Sequence, residues 1–179
     1  GDVYKRQVYA YDVVNEVIDS NGCKLRTVSS SLYGAIFTGD DNTYITKSFE
    51  YAREAEKAAN SSAKLFYNDF VGLASPGQMK AVVKYLAGAK DAGNIDGLGM
   101  QAHQTNLGVT DGDNIKNALK LFQQKGYEVQ ITELDFASKD NSEAGNETLA
   151  AAYQKFMNII LQRMDDTSAP VNVSNVTFW

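Results

Sequence analysis

Two glutamates frame the chemistry. Glu16 and Glu133 lie 117 residues apart, and each follows or ends a short apolar run that reads as a β-strand. Carboxylates on different strands can act on one bond from opposite sides, one protonated to give a proton and the other ionised to attack. Their mutual repulsion splits the two pKa values, which assigns the roles without a metal or cofactor. Cleavage of a glycosidic bond needs such a pair. The single histidine, His103, stands two residues from Gln101, and Asp135 stands two residues from Glu133. Alternation along a strand puts each of these pairs on one side. A histidine beside two carboxylates can be held by one and orient the other through its second ring nitrogen.

These residues need a scaffold, and the pattern around them supplies one. Val8–Val14, Ala63–Tyr67, Ile95–Ala102, Glu128–Phe136 and Asn175–Trp179 read as five strands. Between them, Ser48–Asn60, a segment starting at Pro76, Asp111–Lys125 and Thr148–Met164 have helical periodicity. The second of these has the clearest start: Ser75 as cap, Pro76 at the first helical position and Gln78 three residues after the cap. The stripes are Met79, Val82, Val83 and Leu86; Ile115, Ala118, Leu119 and Phe122; and Leu149, Tyr153, Phe156, Ile160 and Met164. Residues 20–46 are expected to be irregular, with only short local structure. Strand centres at Phe66, Gly99 and Ile131 are 33 and 32 residues apart, a spacing that suits one βα unit. Alternating strands and helices predict an α/β fold with a parallel sheet. An open doubly wound sheet and a closed barrel both satisfy this pattern. No Gly-x-Gly-x-x-Gly follows a strand and no phosphate-binding Gly-x-x-x-x-Gly-Lys loop occurs, which disfavours dinucleotide and nucleotide sites. The predicted strands end in Asn15-Glu16, Asn68-Asp69, Gln101 with His103, Glu133 with Asp135, and Trp179. Polar and aromatic groups at every strand C-terminus describe a cleft on one rim.

Composition narrows the partners. The 179 residues carry a net charge of −5 and are 44% hydrophobic with 2 prolines, the profile of a packed domain rather than a disordered one. Acidity and the lack of a Lys/Arg cluster argue against nucleic acid. No apolar run is long enough to predict a membrane span, and one Cys with one His cannot make a Cys/His zinc site.

Five ordered motifs carry a specific resemblance. Asp12-Val13-Val14-Asn15-Glu16, Lys64-Leu65-Phe66-Tyr67-Asn68-Asp69, Gly97-Leu98-Gly99-Met100-Gln101-Ala102-His103, Ile131-Thr132-Glu133-Leu134-Asp135 and Val176-Thr177-Phe178-Trp179 resemble family 10 glycoside hydrolases, the endo-1,4-β-xylanases. The similarity runs from about residue 8 to the end. It implies that these strands are numbers four to eight of a (β/α)8 TIM barrel, so that 8–179 is an incomplete catalytic domain and 1–7 is non-native or mismatched sequence. It implies Glu16 as general acid/base and Glu133 as nucleophile. Asn15 is implied to bind the 2-hydroxyl of the sugar being cleaved, and His103 to bond the nucleophile with Asp135 behind it. Gln101 is implied near the acid/base, Asn68 on the leaving-group side, and Trp179 as a stacking aromatic. The expected substrate is xylan or xylo-oligosaccharides, with no cofactor, nucleic acid or membrane partner. A monomeric complete parent in a secreted or periplasmic location is expected.

The sequence departs from the family pattern in places. Tyr11 and Phe70 stand where Trp and Tyr are common, and the barrel's first three strands are missing. An isolated chain with two uncovered sheet margins is therefore expected to aggregate and to show impaired activity. The rival expectations are another β-glycanase activity at the same site and a non-catalytic carbohydrate-binding partial barrel. Asp69 is open between a structural and a site role.

Overall fold

The computed structural model describes residues 7–19, 21, 23–27, 29–70, 75–104, 112–164, 167 and 171–179, without the side chains of residues 163 and 164. Most of the expected 1–7 segment, the expected helix start at Asp111 and the Met164 side chain lie outside these residues. In chain order the elements are β1 (Ala10–Asn15), β2 (Ile18–Asp19), β3 (Lys24–Leu25), α1 (Leu32–Ile36), α2 (Thr43–Ala58), β4 (Lys64–Asp69), α3 (Pro76–Asp91), β5 (Gly97–Met100), β6 (His103–Gln104), α4 (Gly112–Gln124), β7 (Glu128–Phe136), α5 (Glu143–Met164) and β8 (Val173–Phe178). The protein is an α/β fold built on a parallel sheet.

The sheet runs β1-β4-β5-β7, with β8 on the far side of β7, and all of these pairings are parallel. β6 pairs with β7 beyond the end of β5. One small hairpin, β2 with β3, is antiparallel.

The helices cover one face of the sheet because their apolar stripes meet the outward residues of the strands. Phe49, Met79, Val82, Leu86, Ile115, Leu119, Phe122, Phe156 and Ile160 pack with Leu65, Tyr67, Leu98, Met100, Val129 and Ile131 in one buried core. The Ser75 side chain accepts from the Gln78 backbone N–H and Pro76 opens α3, as the sequence predicts. α2 begins at Thr43 rather than Ser48 and α5 at Glu143 rather than Thr148. In α5 a mostly polar first turn precedes the apolar stripe, so periodicity detects the later turns and misses the start. In α2 the first turn itself buries Tyr44 and Ile45, and the β-branched Thr43, Ile45 and Thr46 hide it from a helical reading. No helix among the described residues is long and apolar enough to cross a membrane.

The other sheet face is polar. Lys64, Phe66 and Asn68 on β4, Gly97 and Gly99 on β5, and Glu128 and Gln130 on β7 fall on it by register. At the N-terminal end of this face, Glu128 is held by Tyr9 and Lys64. At the C-terminal end sit the residues of interest.

Candidate active site

Both carboxylate-bearing strands break regular alternation. On β1, Asp12 pairs with Phe66 and Val14 with Tyr67, so Val13 is an extra residue and the register shifts. Without that bulge Asn15 would point to the helices; with it, Asn15 lies on the Asn68 side of the sheet. On β7, Ile131 pairs with Val176 and Leu134 with Phe178, another shift that falls at Thr132-Glu133. Both Thr132 and Glu133 therefore reach Asn68, although strict alternation would send neighbours to opposite faces. Bulges re-aim side chains in this way next to functional sites.

Glu16 follows β1 with φ 51°, a left-handed conformation that costs a non-glycine residue on the order of 1–2 kcal/mol. Its backbone N–H donates to Asn68 O at 2.9 Å, which holds the turn. The Gln101 amide Nε2 donates to Glu16 Oε1 at 2.9 Å, and Arg26 Nη2 approaches Oε2 at 3.5 Å. Arg26 is brought there by the β2–β3 hairpin, where its N–H donates to Val17 O. Its guanidinium also lies 5.7 Å from the centre of the Phe70 ring. The sequence reading missed Arg26; nothing local marks it, because the hairpin that returns it has no regular strand pattern.

Glu133 is held more tightly. Its Oε1 accepts from Asn68 Nδ2 at 3.1 Å, and its Oε2 lies 3.0 Å from His103 Nε2. Its backbone N–H donates to Gln101 O at 3.1 Å. The other imidazole nitrogen, Nδ1, is 3.0 Å from Asp135 Oδ1. Burial of the ring opposes its charge, but the hydrogen bonds and charges of Asp135 and Glu133 outweigh it and raise the His103 pKa above its ordinary value. The protonated ring donates to both carboxylates. Asp12, on the same face, has its carboxyl pKa raised by burial and then by the charge of Glu133.

Three amides connect the two glutamates. Asn68 Nδ2 donates to Asn15 Oδ1 at 3.1 Å as well as to Glu133, and Gln101 Nε2 lies 3.4 Å from Asn15 Oδ1 as well as 2.9 Å from Glu16. Seven of the residues expected at the site (Asn15, Glu16, Asn68, Gln101, His103, Glu133 and Asp135) thus form one hydrogen-bonded group at the sheet's C-terminal rim. Gln101 and His103 do not share a side by simple alternation, as expected from one strand over Ile95–Ala102. β5 stops at Met100, Ala102 has φ 62°, and the chain re-enters the sheet at His103. The kink lets a buried Gln101 meet Glu16 while a more exposed His103 meets Glu133. Trp179 follows β8, its N–H donates to Leu134 O, and the residue is 78% exposed. Asp69 is fully buried and accepts from the Tyr67 hydroxyl. Its alternation with Asn68 puts it on the helix side of the sheet.

A family model for glycosyl hydrolase family 10 matches residues 1–179. The chain belongs to glycosyl hydrolase family 10. Among family relatives, it is 33% identical over 177 residues to endo-1,4-beta-xylanase B of Butyrivibrio fibrisolvens, covering 98% of this chain and 26% of that one. It is 34% identical over 184 residues to a putative endo-1,4-beta-xylanase of Caldicellulosiruptor saccharolyticus, covering 98% of this chain and 56% of that one. The solved intracellular xylanase of Thermoanaerobacterium saccharolyticum superposes with TM-score 0.78 at 31% identity, over 99% of this chain and 52% of the other. The family 10 chain therefore spans between a quarter and just over half of the length of these three relatives.

Proposed function

We propose that this chain carries the reacting carboxylates of an endo-1,4-β-xylanase that cleaves internal β-1,4 links of xylan with retention of configuration. One observation carries the reading: Glu16, just past β1, and Glu133, on β7, stand at one rim, joined through Asn15, Asn68 and Gln101, with the His103–Asp135 pair behind Glu133 only. In the first step Glu133 attacks the anomeric carbon, the bond to the leaving oxygen breaks, and Glu16 gives that oxygen its proton. Water then attacks the same carbon, Glu16 takes the water's proton, and the bond to Glu133 breaks. Retention requires the carboxyl groups to stand about 5–5.5 Å apart across the sugar. Asn15 binds the 2-hydroxyl, where a bond that tightens in the transition state speeds the reaction. His103 orients Glu133, and Trp179 stacks on a sugar ring near the cleavage point.

The segment is read as strands four to eight of a (β/α)8 barrel, with residues 8–179 part of a catalytic domain. The parallel order, the polar face and the exposed aromatics at both margins support this. Tyr11 lines an apolar cavity of about 340 Å³ beside β1, with Val13, Ala52, Ala55 and Leu65, and Phe178 is 62% exposed on β8. Covered margins in the whole protein would bury both. The 179 residues alone are accordingly expected to turn over xylan poorly. A secreted or periplasmic location is part of the proposal, and fractionation of the native host tests it.

The deciding experiment uses the full-length natural protein. Reducing-sugar release on xylan, cellulose and mixed-linkage glucan is compared, and the first-formed anomer is followed by NMR. Preferential xylan cleavage giving the β-anomer is expected. Release from cellulose alone, or an α-anomeric first product, overturns the reading.

A further inference from the structure

The hydrogen-bond network gives Asn68 a central place but leaves open what sets the direction of its amide. An Asn side chain has one accepting and one donating end, and only one orientation serves the site. The donating end must face Asn15 Oδ1 and Glu133 Oε1, each at 3.1 Å. Flipped by 180°, the amide oxygen would face both acceptors, including a carboxylate, and repel them.

The accepting end of Asn68 has a partner two strands away. Thr132 Oγ1 donates to Asn68 Oδ1 at 2.7 Å. Asn68 is on β4 and Thr132 on β7, with β5 between them. Adjacent strands are about 4.8 Å apart, so two side chains can meet over the middle strand only if it presents nothing between them. The intervening residue is Gly99, paired with Asn68 on one side and with Gln130 on the other. A methyl group at Gly99 would lie 2.5 Å from Asn68 Oδ1 and 3.0 Å from Thr132 Cγ2. The glycine is a window, and Thr132, two residues on from Gln130 and so on the same face, reaches through it.

We propose that Thr132 is a positioning residue: through Gly99's open space its hydroxyl fixes the Asn68 amide so that the NH2 group faces the nucleophile Glu133 and Asn15. This rests on the reading of Glu133 as nucleophile. Thr132 touches neither sugar nor reacting atom. It acts by keeping Asn68 a donor to a carboxylate whose attack geometry depends on that bond.

The test compares Thr132→Val, which keeps the shape and removes the hydroxyl, with Thr132→Ser, which keeps the hydroxyl. Both are made in the full-length natural protein. Xylan kinetics, thermal midpoint and the rate of covalent labelling by an activated 2-deoxy-2-fluoro-xylobioside are measured. Thr132→Val is expected to slow turnover and labelling together by about tenfold, the worth of one hydrogen bond of this kind. KM should stay within about twofold, and Thr132→Ser should recover most of the rate. Wild-type labelling in Thr132→Val overturns the proposal, as does a Thr132→Ser variant as slow as Thr132→Val at an unchanged thermal midpoint. Label on a residue other than Glu133 would remove the nucleophile reading and this proposal together. Label on Glu133 with an unaffected Thr132→Val removes this proposal alone.

Discussion

The neighbourhoods of the two glutamates differ in kind. Glu133 sits inside a strand, its side chain 19% exposed, and both oxygens are engaged by Asn68 and His103. Glu16 sits past a strand end on left-handed backbone, its side chain 39% exposed, with one short bond from Gln101 and a long approach from Arg26. A nucleophile gains from being clamped, since displacement by a fraction of an ångström costs rate. A group that donates a proton in one step and takes one in the next needs access to water and some freedom. The asymmetry of support fits the asymmetry of the proposed roles.

The sharpest way to break this comparison is to remove each carboxylate in the full-length protein. Glu133→Ala is expected to lower kcat/KM on every substrate by at least about a thousandfold. Glu16→Ala should lose about 10²–10⁴-fold on xylan yet still form the covalent intermediate from nitrophenyl xylobioside, whose leaving group needs no proton. Burst kinetics separate the two, and a burst in Glu133→Ala would exchange the assignments.

Next in size is the clamp. Asp135→Asn is expected to cost about tenfold in kcat/KM and to lower the His103 pKa. As His103 is the only histidine, one imidazole resonance reports the titration by NMR. In the unaltered protein it should titrate above the ordinary value of about 6.5. A raised folded pKa means that the charged ring stabilises the fold most below the unfolded value, and that this contribution is lost as pH rises through the raised one. A resonance titrating below 6.5 would contradict the clamp.

On the looser side, Gln101→Ala removes the one short bond to Glu16 and should cost about fivefold in kcat/KM on xylan, with less effect on nitrophenyl substrates. Equal losses on both would mean that Gln101 serves Glu133 instead. The smallest effect is on stability. Asp12→Asn should raise the thermal midpoint at pH 7 and give no gain near pH 3, because the raised pKa of Asp12 makes the fold lose stability as pH climbs from the ordinary carboxyl value to the raised one. A gain independent of pH would mean that ionisation of Asp12 does not burden the fold.

Much of this was legible in the residues. Apolar periodicity found every main strand and helix, and strand-end polarity found the rim. The buried faces of α3 and α4 follow the predicted stripes. What could not be read was local backbone irregularity. The extra residue at Val13, the shift at Thr132-Glu133 and the left-handed Ala102 each reverse the parity on which alternation arguments depend. Such irregularities arise from tertiary packing, and no residue type at these positions demands them. Arg26 escaped notice for a related reason: a two-residue hairpin strand lies below the length at which periodicity carries information.

The backbone at Glu16 has a practical consequence. In a left-handed conformation an alanine keeps the steric penalty of the glutamate, whereas a glycine escapes it. A Glu16→Gly protein should outlast Glu16→Ala by about 1 kcal/mol of folding stability, even though both lack the carboxyl group. For trapping an uncleaved oligosaccharide in a crystal or a calorimeter, glycine is the better silencing choice. The chain carries a strained residue where an easier one would make a sturdier but inert molecule.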